Sequence, residues 1–78
     1  MINYNPSKSA RLITELREKR NLSMQDVADR IGVSKTSVFK WENEQSKLTT
    51  ENVLKISKFF NITVEELLQG KLKYEPNS

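Results

Sequence analysis

The side chains best able to bind a partner are concentrated in one short run, residues 35–43, which reads KTSVFKWEN. Val38 and Trp41 lie three residues apart and would share the inner face of a helix. Four side chains then point elsewhere: Lys35, Thr36, Phe39 and Lys40. Lysine and threonine donate hydrogen bonds, and phenylalanine offers an apolar contact. Hydrogen-bond donors and an apolar contact are suited to binding a partner rather than to catalysis.

The residues that most catalysis requires are missing from the sequence, which contains no histidine and no cysteine. The usual general base, the commonest metal ligand and any disulfide or thiolate are therefore excluded. Glu65 and Glu66 are adjacent, so they would point in different directions on a helix, and acids in a first turn are ordinary partners of the helix dipole. We expect no enzyme activity, no metal site and no cofactor.

Composition is typical of one small globular domain, and its positive charge suits an anionic partner, although many proteins without a nucleic-acid role are equally basic. The 78 residues are 36% hydrophobic and 29% charged, with a net charge of +3 and a pI near 9.3. The sequence lacks both a run of about 18 apolar residues that could span a bilayer and an apolar signal segment at its N-terminus. We expect a cytoplasmic protein with no membrane contact, one domain over residues 1–70 and a polar tail over residues 71–78.

The secondary structure is predicted to be all-α, as a compact bundle of five short helices, because no alternating pattern long enough for a strand occurs. Residues suited to capping or stopping helices divide the chain. Helix one is predicted from about Ser9 to Arg20. The later caps and stops are Asn21, Ser23, Gly32, Ser34, Thr49, Asn61, the capping box of Thr63 with Glu66, and Gly70.

Residues 24–43 fit a helix-turn-helix. This motif needs a small residue where two helices approach, a residue that turns sharply, and apolar anchors on the second helix. Ala28, Gly32 and the pair Val38 and Trp41 meet these needs in order. Further apolar lining comes from Val27, Ile31 and Val33. We assign Trp41 to the core rather than to stacking on a base.

The sequence resembles the Cro and phage-repressor family, also called Xre-like, over roughly residues 9 to 69. The resemblance lies in LSMQDVADRIGVSKTSVFKWEN and in TTENVLKISKFFNITVEELL. It implies a lambda-repressor-like domain in which helices two and three form the DNA-reading unit. It also implies a cytoplasmic transcriptional regulator, with a repressor as the leading interpretation, that binds operator DNA as a dimer.

The resemblance also implies which residues touch DNA, reading the major groove with the third helix at about residues 34–43. It places Lys35, Thr36 and Lys40 at base edges, with Phe39 beside them. Lysine can donate to guanine O6 and N7, while threonine and phenylalanine can contact thymine methyl groups. The candidates for phosphate contact are Ser23, Gln25, Ser34, Ser37, Asn43 and Lys47.

The sequence departs from the family pattern at two places and matches it at a third. Met24 stands where family members often have glutamine, with Gln25 one residue later. The family's Glu-x-Gly appears as Glu42-Asn43-Glu44, so Asn43 or Glu44 must make the turn. Arg17 matches a position that pairs with the glutamate, here Glu42. A cation would offset the repulsion of that carboxylate by the helix dipole, so we predict a salt bridge.

Two questions about partners stay open in the sequence. One small domain contacts few base pairs, which suggests a homodimer on palindromic or pseudo-palindromic half-sites about 34 Å apart. Its interface is predicted on helix five and the tail, at Ile62, Val64, Leu67, Leu68, Leu72 and Tyr74. The alternative function is an antitoxin-like or adaptor module that binds a regulatory protein partner through Phe39 and helix five.

Overall fold

The computed structural model describes residues 3–73, which form five helices and, within that range, no strand. The helices are α1 (Pro6–Lys19), α2 (Met24–Ile31), α3 (Lys35–Glu42), α4 (Thr50–Phe60) and α5 (Val64–Gln69). The predicted all-α, five-helix architecture is confirmed. Most of the predicted tail, residues 74–78, lies outside the described residues.

Side-chain caps start each of the last four helices where the sequence predicts them. In each case the cap side chain accepts a hydrogen bond from the backbone N–H three residues later, with Ser23, Ser34, Thr49 and Thr63 as the caps. The predicted start of helix one at about Ser9 is wrong. That helix begins at Pro6, and Asn5 Oδ1 accepts from the N–H of Lys8 at 3.0 Å. Its first turn is polar, so no apolar stripe marks it.

Left-handed residues end the helices at the predicted stops. Asn21, Gly32, Asn61 and Gly70 all have positive φ angles, between 56° and 76°. Gly70 is also required by packing, because a Cβ atom there would lie 2.2 Å from the backbone carbonyl carbon of Lys8. The end of α5 therefore presses directly on the start of α1.

All five helices contribute to one core, which positions α2 and α3 as a unit. The turn-forming pair α2 and α3 pack on each other, α1 packs on α3 and α5, and α4 packs on α2 and α5. The buried apolar residues at the centre are Leu12, Ile13, Leu16, Val27, Ala28, Val38, Trp41, Val53, Ile56, Phe60 and Leu67. The inner face of α3, with Val38 and Trp41, is thus buried in the core, and its outer face is exposed to solvent.

Among residues 3–73, no helix is long and apolar enough to cross a membrane. The same residues contain no group of three or more acidic side chains placed to hold a metal ion.

Candidate nucleic-acid interface

The α2–α3 unit has helix-turn-helix geometry. The N–H groups of Gly32 and Val33 both donate to the carbonyl of Ala28, at 2.9 and 3.0 Å, which closes the turn. Ala28 and Val38 are fully buried where the two helices meet. The other predicted core positions are buried (Val27, Trp41) or half-buried against the core (Ile31, Val33). Trp41 is a packing residue.

The outer face of α3 presents all four predicted base-reading side chains to solvent. Lys35, Thr36, Phe39 and Lys40 are exposed. Thr36 lies one turn from Lys40, and Lys35 one turn from Phe39, so the four form one continuous face. Phe39 is 45% exposed, so it is available to a partner.

This face is positively charged, and no acidic side chain of α3 lies on it to neutralise the charge. The first turn of α3 has no acidic residue, so Lys35 stands beside the positive end of the helix dipole. The acid of α3 is Glu42, and its side chain is only 3% exposed because it points inward. Lys35 and Lys40 therefore determine the charge of the exposed face.

Glu42 is held by an ion pair with Arg17, as the sequence predicts. Arg17 Nε donates to Oε2 at 2.7 Å and Nη2 donates to Oε1 at 2.9 Å, a bidentate arrangement. The hydrogen bond to Glu42 raises the pKa of the Arg17 guanidinium, which stays charged. The pair fastens the end of α3 to α1.

Two further groups complete this site and were missed in the sequence. Thr14 Oγ1 donates to Glu42 Oε1 at 2.9 Å, and Arg17 Nη1 donates to the carbonyl of Leu22 at 2.9 Å. Thr14 lies three residues before Arg17 on α1, a spacing that could have identified it. The carbonyl of Leu22 carried no such sequence signal. Together these contacts join α1, the α1–α2 turn and α3.

The turn after α3 is made by Glu44. Glu44 has a φ of 56°, whereas Asn43 has a φ of −105°. A non-glycine residue in the left-handed region costs roughly 1–2 kcal/mol. The N–H of Gln45 donates to the carbonyl of Lys40 at 2.8 Å, and Asn43 Nδ2 donates to the carbonyl of Phe39 at 2.9 Å. The segment that follows α3 is ordered by these bonds.

The candidate serine contacts lie at the starts of α2 and α3. Ser23 Oγ accepts from the N–H of Asp26 at 3.0 Å, and the Asp26 carboxylate accepts from the N–H of Ser23 at 2.9 Å. This backbone hydrogen bond lowers the pKa of Asp26. Ser34 Oγ and Ser37 Oγ lie 3.0 Å apart. Ser23 Oγ keeps its proton to donate, whereas one of the two hydroxyl protons of Ser34 and Ser37 is used in the bond between them.

The remaining phosphate candidates are exposed, and one of them is already partly engaged. Gln25 Nε2 donates to Asp29 Oδ1 at 2.8 Å, which uses one of its two amide protons. Lys47 is exposed in the segment between α3 and α4. Met24 is half-buried against the core, so it has a packing role at the position where the family often has glutamine.

The residues of the predicted interface on helix five are partly covered by the core, and the interface itself stays a prediction. Leu67 is fully buried, and Ile62, Val64, Leu68 and Leu72 pack half-buried against the core. They are partly covered because α5 packs on both α1 and α4. Tyr74 lies outside the described residues. Within those residues, the exposed large apolar side chains are Tyr4, Phe39 and Leu54.

Fold and exposed face together define a helix-turn-helix domain of the phage-repressor type. A family model described as helix-turn-helix matches residues 13–67. The chain belongs to this family, the Cro and C1 type of DNA-binding transcriptional regulators.

Relatives of known structure or function agree with this assignment. The chain is 37% identical over 59 residues to the HTH-type transcriptional activator BcrR of Enterococcus faecalis. It is 34% identical over 56 residues to the cryptic phage CTXphi transcriptional repressor RstR of Vibrio cholerae. The P22 c2 repressor, in complex with synthetic operator, superimposes with a TM-score of 0.76 at 25% identity, covering 81% of this chain and 96% of that one.

The curated relatives are longer than the matched region. The match covers 76% of this chain but 29% of BcrR, and 72% of this chain but 50% of RstR. The chain therefore spans half or less of these two proteins. One is named an activator and the other a repressor.

Proposed function

We propose that this domain binds double-stranded DNA in a sequence-specific manner, with α3 in the major groove, and regulates transcription by occupying an operator. One observation carries the proposal. The exposed face of α3 bears Lys35 and Lys40, while Glu42 is withdrawn from it into the ion pair with Arg17. A positive helix face on a rigid support is suited to the groove of a polyanion.

Base edges and phosphates are contacted by different side chains in this proposal. Lys35 and Lys40 donate to guanine O6 and N7, and Thr36 and Phe39 contact thymine methyl groups. Phosphates are contacted by the hydroxyl and amide groups around the helix starts and by the segment after α3: Ser23, Gln25, Ser34, Ser37, Asn43 and Lys47. The base contacts specify the sequence, and the phosphate contacts fix the register.

Two copies of the domain are proposed to occupy one operator. A single recognition helix reads too few base pairs for useful specificity, whereas two half-sites about 34 Å apart double the recognised sequence. Leu54 on α4 is 56% exposed and supports a contact between the copies there. Occupancy of an operator that overlaps a promoter would give repression.

Selection of bound sites from random duplexes tests the proposed function. The expected result is a short motif that occurs twice with two-fold symmetry and a centre-to-centre spacing of about one helical turn or a multiple of it. If folded wild-type protein enriches no motif from the pool at low salt, sequence-specific binding is contradicted.

A protein-interaction module is the second candidate function, and exposed Phe39 favours it. An aromatic ring that is 45% exposed could anchor a protein interface as well as contact thymine. The two functions differ in their response to salt, because phosphate contacts release counterions and an apolar interface does not.

A further inference from the structure

A cavity of about 350 Å³ lies between the start of α1 and the segment that joins α3 to α4. Its mainly apolar lining includes Tyr4, Ala10, Ile13, Trp41 and Leu48. A cavity of about 150 Å³ holds benzene, so this one has room for a substituted single ring or a small fused ring.

A buried hydroxyl without a partner lies at the wall of this cavity. Ser9 lines the cavity and is 1% exposed, and its Oγ has no hydrogen-bond partner among residues 3–73. Such a group opposes folding until a partner satisfies it, and native structures retain few of them without a reason. The helix of Ser9 needs no hydroxyl here, since the N–H of Ser9 is already bonded to the carbonyl of Asn5 at 2.9 Å.

Tyr4 makes only a weak contact across the cavity. Tyr4 is 36% exposed, and its hydroxyl accepts from the N–H of Leu48 at 3.5 Å, at the long limit of hydrogen bonding. The charged groups at the cavity are one acid, Glu44, and one base, Lys47. They give no net charge that would select an ion.

We propose that this cavity is an effector site for a small uncharged aromatic molecule with one hydrogen-bonding group, which Ser9 Oγ binds. The apolar lining accommodates the ring, and the serine hydroxyl selects for the polar group. The regulatory role rests on the proposed DNA binding, because one wall of the cavity is the segment that carries Lys47, a proposed phosphate contact.

Phenol is the probe that tests the site, with toluene as the matched molecule that lacks the hydroxyl. Amide and Trp41 indole NMR shifts of the full chain, without DNA, are followed during titration with each. We expect shifts concentrated at Ser9, Trp41 and Leu48, and phenol binding about fivefold tighter than toluene binding, the worth of one hydrogen bond. Absence of saturable shifts at the cavity overturns the proposal.

The Ser9→Ala variant tests the hydroxyl directly. It removes an unsatisfied group, so the domain should fold at least as well as wild type. Ser57→Ala is the matched control, because Ser57 is also buried but donates to the carbonyl of Leu54 at 3.2 Å, away from the cavity. Ser9→Ala should abolish the preference for phenol over toluene and Ser57→Ala should retain it. An unchanged preference in Ser9→Ala assigns binding to another site and overturns the proposal.

Linkage to DNA is measured separately, so that the two proposals can fail independently. Saturating phenol should change the affinity of wild type for its selected duplex at least twofold, and Ser9→Ala should respond less. The duplex must change the phenol affinity by the same factor. An unchanged DNA affinity overturns the regulatory role. Binding of phenol by a protein that binds no duplex would instead leave the cavity site standing and refute the proposed DNA function.

Discussion

Glu42 determines both the position and the charge of the recognition face. Its carboxylate accepts from Arg17 and Thr14 on α1, which fastens the end of α3. Its withdrawal from solvent also leaves Lys35 and Lys40 without an acidic neighbour on their own helix. One ion pair therefore links the stability of the domain to the electrostatics of its surface.

Arg17→Ala is predicted to destabilise the domain by about 2–4 kcal/mol, because it leaves the Glu42 carboxylate buried without its cation. Thermal or urea unfolding gives the value. Lys55→Ala is the control, since Lys55 forms an exposed pair with Glu51 at 3.7 Å and should cost less than about 1 kcal/mol. Equal losses in the two variants would show that the buried pair has no special role.

Lys40→Ala and Lys47→Ala are predicted to weaken DNA binding in different ways. Lys40→Ala removes a proposed base contact, so it should cost about 1–3 kcal/mol on the selected site and relax the preference at one position. Lys47→Ala removes a proposed phosphate contact, so it should weaken binding to all duplexes by a similar factor. It should also reduce, by about 1, the steepness with which the logarithm of affinity falls with the logarithm of salt concentration. Affinities for the selected and single-substituted duplexes separate the two.

Lys58→Ala is the control for both variants. It removes the same positive charge, but in the last turn of α4, outside the proposed DNA-contacting residues. Its affinities should stay close to those of wild type. If Lys40→Ala changes affinity without changing base preference, the assignment of α3 as the reading helix is wrong at that position.

At the scale of elements, helix boundaries were the most predictable part of the fold. Caps and left-handed stops act through the residue itself and its next few neighbours, so Ser23, Gly32, Thr49 and Asn61 could be read from the sequence. The start of α1 differs from the prediction because its signal is local: Asn5 caps the helix and Pro6 begins it, in a segment without apolar periodicity.

Features that depend on distant contacts were less predictable. How far the apolar residues of α5 are covered depends on its packing on α1 and α4, which only the tertiary fold reveals: Leu67 is fully buried, and Leu68 is half-buried. The cavity beside Ser9 likewise arises where residues 4–13 face residues 41–48. The sequence left the turn after α3 open between Asn43 and Glu44, and the structure places the left-handed conformation at Glu44.

The capping box of α5 gives a pH-dependent prediction. Glu66 accepts from the N–H groups of Thr63 and Lys73, both at 2.9 Å, and these bonds lower the pKa of its carboxyl group. A lowered pKa stabilises the fold above the unfolded value of about 4.3, and this stability is lost as the pH falls through the folded value. Glu66→Gln should therefore lower stability by about 0.5–1 kcal/mol at pH 7.

Thermal unfolding across pH checks this prediction. The difference between wild type and Glu66→Gln should shrink as the pH falls below about 4. Exposed Glu15 on α1 provides the control, and Glu15→Gln should have little effect at either pH. A difference for Glu66→Gln that is constant from neutral to acidic pH would show that the charge of Glu66 contributes nothing.

Across the molecule, the exposed large apolar side chains of residues 3–73 belong to different elements: Phe39 to α3, Leu54 to α4, and Tyr4 to the segment before α1. Leu54 is the most exposed of those in the described residues and lies on α4, outside the α3 face. The proposed contact between copies at Leu54 therefore uses a different helix from the proposed DNA contact.

Leu54→Glu is predicted to reduce cooperative occupancy of a two-half-site duplex, because it places a charge in the proposed contact between copies. Affinity for an isolated half-site should be unchanged, which serves as the internal control. Quantitative footprinting on both duplexes measures the two quantities. Cooperativity equal to that of wild type would place the contact elsewhere or show that the copies bind independently.

The salt dependence of duplex binding is the decisive measurement for the proposed DNA-binding function. If α3 and its flanking segments contact about six phosphates, the logarithm of affinity should fall with the logarithm of salt concentration at a slope near −5. The measurement needs the wild-type domain, the selected duplex and a series of monovalent salt concentrations. A slope of this size would support a DNA-binding face on α3. Tight binding that barely responds to salt, or no binding at low salt, would contradict it.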